Sequence, residues 1–331
     1  AELSWTLFDG GKMFIAKDRL AETENLSRIE LKNNILETQA AVLAAYFGIV
    51  KQKQQLMAYN EIFSFNEERF RIAETGFNTG LLSRPDWLQA KMDLNTIREN
   101  IITQEYNVES AKKDLLLLLG SSDFTTFDVT DSISTDYMPD QAKLLARIDT
   151  ANTAILALQS RMEIARLIMN ENKRSALPEI NLNAGYYLSQ YNNSDGSILH
   201  NYSLGPAFGA TLRIPIYQAG DVKRQIKTAG YELKSAGYEL QNISAQIKSD
   251  LADALAAFDY QIRLIEIEKE NNALARENLE ISIQRLAKGQ TTSLEIHMAQ
   301  ELYIQSTTRL ISFRYNLKLA ETRLKQLAAE F

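Results

Sequence analysis

A repeated pattern of residues constrains the fold of this chain more than any other feature. Residues 5–11 read Trp-Thr-Leu-Phe-Asp-Gly-Gly, and residues 214–220 read Ile-Pro-Ile-Tyr-Gln-Ala-Gly. Each segment ends a short alternating apolar stretch and begins a long helical one. Repetition at this scale indicates a structural duplication. The sequence therefore predicts two copies of one unit, in which a strand precedes a pair of long helices.

The two copies align at a constant offset. Gly11 aligned with Gly220 gives an offset of 209 residues. The same offset pairs Gly80 with Gly289, Ala90 with Ala299, Ala111 with Ala320, and the heptad Leu94, Ile101, Val108 and Leu115 with Tyr303, Leu310, Leu317 and Leu324. Spacing by seven is typical of helices that pack as a coiled coil. Residues 43–46 resemble 255–258 at an offset of 212, which predicts a compensated insertion of about one helical turn.

These patterns predict a mainly α fold with a small β part. The first repeat covers residues 1–120, a polar connector covers 121–139, and the second repeat covers 140–331. Stretches this long without internal helix breakers favour coiled-coil helices. The predicted elements are helices over 11–75, 86–119, 140–176, 220–288 and 294–327, with turns at 76–85 and 289–293.

The region 180–216 alternates apolar and polar residues and predicts a β-hairpin. Its apolar positions include the candidate lipid-facing residues Ile180, Leu182, Leu188, Leu212 and Ile214. Arms of about ten residues could cross a bilayer as tilted strands. A soluble antiparallel sheet would show the same alternation, so both interpretations stay open here.

The start of the chain matches only the later part of the β-hairpin that precedes the long helices in the second copy. Leu3, Trp5 and Leu7 alternate with Ser4 and Thr6, as at the end of a second strand. We expect the leading helix and first strand of the first copy to be missing from this chain, and this chain alone not to close a barrel. We also find no signal-peptide pattern in it.

Composition and motifs exclude several classes of function. The net charge of −6 argues against a nucleic-acid partner, and the absence of cysteine excludes disulfides and thiol catalysis. His200 and His297 lie far apart in the sequence and predict no metal site. No nucleophile, base and orienting group can be assembled. We therefore expect neither an enzyme nor a bound cofactor.

Glycines mark the junctions of each unit. Gly10, Gly11 and Gly220 lie where a strand becomes a helix, and Gly80 and Gly289 lie in the helix turns. Left-handed backbone is available to glycine at little cost, and it commonly ends helices. We expect these residues to adopt it.

A strand ending in Leu-Phe-Asp-Gly-Gly, a long helix, a glycine turn and a returning heptad helix together resemble the TolC-like outer-membrane efflux proteins. The resemblance covers essentially the whole chain and extends to the second copy through residues 214–220. It implies a homotrimer in a Gram-negative outer membrane, whose helices form a periplasmic α-helical barrel topped by a shared transmembrane β-barrel. It also implies passive export of small molecules, such as drugs or metal ions, or of secreted proteins. An inner-membrane pump and a periplasmic adaptor would be its partners.

The resemblance also implies roles for particular residues. Adaptors of such proteins dock at the helix turns, which here are Thr79, Gly80, Leu81, Leu82 and Ser83, and Gly289, Gln290, Thr291, Thr292 and Ser293. Taken alone, these segments are better interpreted as ordinary polar turns, and it is the resemblance that favours docking.

Some family members narrow the tunnel with a ring of carboxylates, six and nine residues after the second-turn glycine. These positions hold Glu295 and Met298 here, so a single ring is possible and a double ring is in doubt. Asp86 is the equivalent of Glu295 in the first copy. The alternative is that both acids stabilise helix starts through the helix dipole.

A second hypothesis of a different class remains open. The chain could be a soluble coiled-coil scaffold whose β-hairpin merely caps it. The apolar strand face discriminates between the two, because it needs lipid or detergent only in the channel hypothesis.

Overall fold

The computed structural model describes residues 1–121, 127–192 and 200–331 and is mainly helical with a small sheet, as predicted. Residues 122–126 of the predicted connector and 193–197 of the predicted hairpin loop lie outside these ranges. The elements in chain order are β1 (Glu2–Phe8), α1 (Lys12–Asn78), α2 (Arg84–Leu118), α3 (Gln141–Ala151), α4 (Thr153–Arg174), β2 (Glu179–Asn192), β3 (His200–Arg213), α5 (Asp221–Ala287) and α6 (Ser293–Leu327).

The long helices reproduce the sequence duplication. Adding 209 to the bounds of α1 and α2, 12–78 and 84–118, gives 221–287 and 293–327, the bounds of α5 and α6. Seven of the eight predicted heptad residues are buried, and Ile101 is partly buried. α1 and α5 both contain 67 residues, which is the length that a compensated insertion would leave, so the predicted insertion of one turn stays a prediction. The offset of 212 differs from 209 by three residues, close to one helical turn, so apolar spacing matches nearly as well at both.

The predicted single helix over 140–176 is wrong, because Asn152 separates α3 from α4. Asn152 has extended backbone, with φ −64° and ψ 120°. Its Nδ2 donates to the carbonyl of Leu327 at 2.9 Å, and Arg147 Nη2 donates to Ala329 O at 2.9 Å. The last carbonyls of a helix have no partner within that helix. The helix is therefore interrupted at Asn152 because Asn152 and Arg147 donate hydrogen bonds to carbonyls at the end of α6.

The sheet has the order β1-β2-β3, and both strand pairs are antiparallel. Ile180 is opposite Leu212, and Leu182 lies between Trp5 on one side and Ala210 on the other. Because side chains alternate between faces, the predicted apolar positions within β2 and β3 share one face with Leu3 and Trp5. A register shift between Thr6 and Phe8 places Phe8, and not Leu7, opposite Ile180, so the predicted alternation is broken at Leu7.

The strands are longer than predicted, and one predicted strand residue lies outside them. β2 and β3 contain 14 residues each, whereas the alternation predicted about ten. Ile214 lies one residue beyond Arg213, the last residue of β3, so its assignment to a lipid-facing strand position is wrong. Pro215 follows and has no backbone N–H to donate, which ends the ladder.

Left-handed backbone marks both strand-to-helix junctions. Gly10, Gly11 and Gly220 have φ of +73°, +79° and +77°. Ala219, which the offset of 209 pairs with Gly10, has φ +49°. A Cβ on Gly10 would lie 2.6 Å from Leu177 Cβ, so this position needs glycine for space as well as for conformation.

The helices contribute to two compact units. The first unit combines residues 1–33 with 153–246 and contains the sheet, α4 and the beginnings of α1 and α5. Here α1 pairs with α4 through Arg19 and Glu171, whose closest atoms are 2.6 Å apart. Among the described helices, none has both the length and the apolar character of a membrane span.

The second unit combines residues 34–152 with 247–331. One of its cores joins α1, α2, α5 and α6 around residues that include Ile62, Ile97 and Ile296. Both helix turns lie in this unit. The predicted division into two repeats and a connector describes sequence similarity, whereas each compact unit draws on both repeats.

Candidate functional site

The first helix turn lies between α1 and α2, at residues 79–83. Gly80 adopts φ +79°, and the amides of Leu81 and Leu82 donate to Gly76 O at 2.8 and 3.0 Å. These bonds satisfy carbonyl groups at the end of α1. They leave Leu81 with 82% of its surface exposed. The turn is therefore an ordered backbone structure that presents an apolar side chain to solvent.

The second turn, at residues 288–292, repeats this geometry. Gly289 has φ +66° and donates to Leu286 O at 2.9 Å, and the amide of Gln290 donates to Arg285 O at 2.9 Å. In place of the leucines that follow Gly80, the residues after Gly289 are polar. The two turns thus share a backbone and differ in the chemistry they expose.

A groove of about 640 Å³ lies between the two turns. Residues near the ends of α1 and α5 and within both turns line it: Arg71, Ile72, Thr75, Gly76, Thr79, Leu81, Leu82, Leu286, Ala287, Lys288 and Gly289. Of the ten predicted docking residues, four line this groove: Thr79, Leu81, Leu82 and Gly289. The other six lie outside its lining: Gly80, Ser83, Gln290, Thr291, Thr292 and Ser293.

A buried ion pair between α1 and α2, with a hydrogen bond to α6, lies near these turns. Arg69 of α1 is 1% exposed, and its Nη1 lies 2.5 Å from Oδ2 of Asp93 on α2. Its Nη2 donates at 2.8 Å to Oγ of Ser293, the first residue of α6. Gln89 donates to the other oxygen of Asp93 at 2.8 Å, and His297 Nδ1 lies 3.5 Å from Oδ2. This network connects α1, α2 and α6 through one guanidinium group.

Sequence reasoning missed Arg69. The buried positions of α1 near the turn follow a helical stripe: Ile62, Asn66, Arg69, Ala73 and Gly76. A charged residue inside a buried stripe signals a buried pair, because an isolated charge there would be costly. The alternating spacing of four and three residues along this stripe of α1 made that signal available in the sequence.

Both candidate constriction acids make the contacts of helix-start residues. Asp86 forms a capping box with Ser83, which is the N-cap of α2. The amide of Glu295 donates to Thr292 Oγ1 at 3.2 Å, and the Glu295 carboxylate accepts a bond from Thr291. Such contacts satisfy free amides in the first turn of a helix. They support the capping role, while a constriction role remains a proposal.

A second polar link, at Tyr303, joins α6 to α1 and α5. Tyr303 is 4% exposed, and its hydroxyl donates to Glu61 Oε2 at 2.8 Å. Arg276 of α5 lies 2.8 Å from the other oxygen of Glu61. Burial, together with this carboxylate, raises the pKa of Tyr303 to about 12. The hydroxyl therefore remains protonated and keeps donating near neutral pH.

The sheet carries the remaining candidate residues. Leu188 and Leu212 are 64% and 60% exposed, and Ile180 and Leu182 are partly buried on the same face. Trp5 on β1 is 63% exposed beside Leu182. On the opposite face, Ser4 donates to Asn183 at 3.0 Å. Within the described chain, the sheet therefore has one apolar and one polar face, and much of the apolar face is open.

The sequence predicts no metal site at the two histidines. His200 begins β3, and the structure does not describe its side chain, whereas His297 lies near the turns as given above. Among residues 1–121, 127–192 and 200–331, no group of three or more histidines and acids has a metal-binding arrangement.

Related sequences share this organisation. The profile of the outer membrane efflux protein family matches residues 1–121 and 144–330. Outer membrane protein TolC of Escherichia coli K12 is 22% identical over 259 residues, covering 75% of this chain and 52% of TolC. The chain thus spans about half the length of the curated relatives it matches.

Solved structures share the fold. A membrane protein from Pseudomonas aeruginosa superposes with a TM-score of 0.83 at 19% identity, covering 98% of this chain and 73% of that one. The outer membrane protein VceC from Vibrio cholerae gives 0.82 at 15% identity, covering 99% and 78%. Because the family profile matches most of the sequence and both structures share its architecture, this chain belongs to the outer membrane efflux protein family.

Proposed function

We propose that this protein is an outer-membrane duct that exports small molecules or secreted proteins delivered by an inner-membrane pump. The observation that most directly supports this proposal is the amphipathic sheet, whose apolar face includes exposed Leu3, Trp5, Leu188 and Leu212. Strands of this kind suit a closed barrel, in which one face meets lipid and the other lines the lumen. Membership in a family of efflux channels, not of enzymes, supports passive transport.

Single-channel recording in a planar lipid bilayer tests the duct. The full-length protein should give discrete and stable conductance steps. If folded protein gives no steps and needs no detergent to remain soluble, the duct proposal fails and the soluble scaffold is favoured.

The proposed duct is a homotrimer, and α5 supports this assembly. One stripe of α5 is buried in the second unit and includes Leu251, Phe258 and Ile265. A second stripe repeats every seven residues and is about half exposed: Tyr260, Ile267, Leu274 and Ile281. A helix with two apolar stripes is suited to packing on both sides. Neighbouring copies would cover the exposed stripe in an α-helical barrel.

The helix turns are the proposed docking sites for a periplasmic adaptor, and the duct would be gated close to them. The supporting observations are the ordered turn backbones, the exposed Leu81 and the groove between the turns. The Arg69 network links the helix pairs in the same unit. Movement of one pair relative to the other would have to break it.

Glu295 is a proposed contributor to a constriction, with Asp86 as its first-copy equivalent. Three copies of Glu295 around an axis would form a negative ring that attracts cations and disfavours anions. Its carboxylate is exposed apart from its bond to Thr291, which leaves it available to ions.

A further inference from the structure

A cleft of about 460 Å³ lies where the helices of the first compact unit meet the sheet. Five residues line it: Ile15 of α1, Asn170, Lys173 and Arg174 of α4, and Leu177 of the link between α4 and β2. A Cβ on Gly10 would lie 2.6 Å from Leu177 Cβ and 3.0 Å from Arg174 O. The end of α4 therefore packs closely against the junction of β1 and α1, which gives the cleft an ordered wall.

The cleft carries positive charge that the described chain does not neutralise. Lys173 and Arg174 are exposed, and neither forms an ion pair with a residue that the structure describes. Nζ of Lys173 lies 3.5 Å from the amide oxygen of Asn170, which is neutral. No lining residue is acidic, and the neighbouring Glu171 is buried and paired with Arg19 at 2.6 Å. Two cations therefore lie beside apolar side chains with no anion of the chain between them.

Cations are concentrated at this end of the sheet. Residues 9–18, 170–180 and 213–227 contain eight Lys or Arg and five Asp or Glu, in a chain whose net charge is −6. Four of these acids already accept hydrogen bonds or form ion pairs: Asp9, Glu171, Glu179 and Asp221. The charge left over at this end is therefore mainly positive.

The helix dipole explains only part of this concentration. It favours Lys173 and Arg174, which lie in the last turn of α4. It disfavours cations near the start of a helix, where Lys12 of α1 and Lys223 of α5 lie. Cations at both kinds of helix end indicate an anionic partner outside the chain.

The apolar face of the sheet ends close to the cleft. Phe8, the last residue of β1, lies opposite Ile180, and Ile180 lies opposite Leu212 near the end of β3. Leu177 of the cleft is three residues before Ile180 and is 39% exposed. A molecule whose apolar chain lies on this face can therefore reach the cleft with its polar end.

We propose that this cleft binds the phosphate of an anionic phospholipid whose acyl chains lie on the apolar face of the sheet. The proposal rests on the duct proposed above, which places that face in lipid, and adds a defined lipid site to it. The Arg174 guanidinium can donate two hydrogen bonds to the phosphate, and Lys173 supplies a second charge. Ile15 and Leu177 would contact the lipid next to its headgroup. Basic pockets between helices at a membrane surface bind headgroups in this way.

Retention of lipid by the purified protein tests this preference. The full-length protein in detergent would receive equal amounts of phosphatidylglycerol and phosphatidylcholine with identical acyl chains, and native mass spectrometry would count the lipids retained. Phosphatidylcholine carries its own cation, which the two basic side chains repel. Retention should favour phosphatidylglycerol about thirtyfold, since each Lys or Arg near a lipid surface contributes roughly fivefold. The preference should shrink as salt is raised.

Matched variants assign the preference to the cleft. Lys173→Gln combined with Arg174→Gln should remove nearly all of it, and Lys173→Gln alone should lower it about fivefold. Lys223→Gln combined with Lys227→Gln removes the same charge near the start of α5, outside the cleft lining, and should leave the preference nearly unchanged. Unchanged helical circular dichroism would verify the fold of each variant.

Three results would overturn the proposal. Equal retention of the two lipids would remove the preference, and equal loss in both double variants would assign it to general attraction at the end of the sheet. Displacement of phosphatidylglycerol by inorganic phosphate, at ionic strength matched with chloride, would identify a site for a free anion. Conductance in a bilayer of phosphatidylcholine alone needs no anionic lipid. A conducting protein without lipid preference would therefore refute the lipid site and leave the duct standing.

Discussion

Arg69 illustrates how one residue can set the relation between elements. Its guanidinium reaches Asp93 on α2 and Ser293 on α6, so its position depends on both helix pairs. Buried pairs contribute little net stability when intact, but removing one partner leaves an unpaired buried charge.

Replacing this arginine should therefore be costly. Arg69→Met leaves the Asp93 carboxylate buried without its cation, and we expect a loss of about 3–5 kcal/mol in unfolding free energy. Thermal unfolding followed by circular dichroism measures this. Arg69→Met combined with Asp93→Leu should recover much of the loss. If the single variant melts like the wild type, the pair does not hold the helices together.

Glu295 gives a second prediction at the scale of a single residue. If three copies form a ring, Glu295→Gln should lower the ratio of cation to anion permeability severalfold, as measured by reversal potentials in a salt gradient. Glu301→Gln, one exposed acid further along α6, is the matched control. An unchanged ratio would leave Glu295 only its capping contacts.

At the scale of single elements, β3 is the clearest case of a strand whose two faces differ in chemistry. Leu212 and Thr211 are consecutive residues of β3 that point to opposite faces of the sheet. The apolar and polar faces can therefore be probed by the same substitution one residue apart.

Arginine on the apolar face should impair insertion. Leu212→Arg should cost about 2–4 kcal/mol if the site lies near the middle of the bilayer, and Thr211→Arg should cost much less. The fraction of heat-modifiable, protease-resistant assembly in lipid measures the effect. Equal effects at both positions would argue against lipid contact on the face of Leu212.

The connector is a second element of this kind, because ionic as well as apolar contacts hold it against α1. Val129 and Ile133 are buried against Ile49 and Val50 of α1. Lys53 lies 2.8 Å from Asp128 and 2.6 Å from Asp131.

This arrangement predicts a dependence on pH. The hydrogen bond from Lys53 holds the pKa of Asp128 below its ordinary value of 3.8. Hydrogen bonds to the two aspartates raise the pKa of Lys53 above 10.5. The stabilisation is thus present between these limits, is lost as pH falls through the lowered pKa of Asp128, and is lost as pH rises through the raised pKa of Lys53. The protection factors of residues 127–133, each the intrinsic exchange rate divided by the observed rate at the same pH, should fall in acid, and Asp128→Asn should remove much of that change. Protection factors that stay constant with pH in the wild type would contradict it.

At the scale of the whole molecule, α5 contributes to the core of one copy and to the interface of the proposed trimer. Its buried stripe belongs to the second unit, and its second stripe stays about half exposed in the described chain. The proposed trimer would therefore rest on residues that a single copy leaves partly in solvent.

Charging the exposed stripe should weaken the trimer. Ile267→Glu buries a carboxylate at the proposed interface, so we expect the trimer to dissociate at protein concentrations at least about tenfold higher than for the wild type. Light scattering in detergent measures this. Lys269→Glu, two residues further along the helix and facing away, should have little effect. A stable Ile267→Glu trimer would place the interface elsewhere.

The sequence by itself determined the repeated architecture. Heptads place Leu94 and Tyr303 in helix interfaces, alternation places Ile180 and Leu212 on one face of a sheet, and glycines mark the turns. All of these depend on periodicity and backbone sterics, which act between residues close in the sequence.

Only the tertiary structure decided what depends on distant residues. The break at Asn152 follows from carbonyls of α6 more than 170 residues away, since the hydrogen bond to Leu327 spans 175 positions. The Arg69 network and the groove between the turns likewise require residues from both repeats to meet. Local pattern carries no information about which distant groups satisfy a buried charge or an open carbonyl. Those contacts arise only when the helices pack.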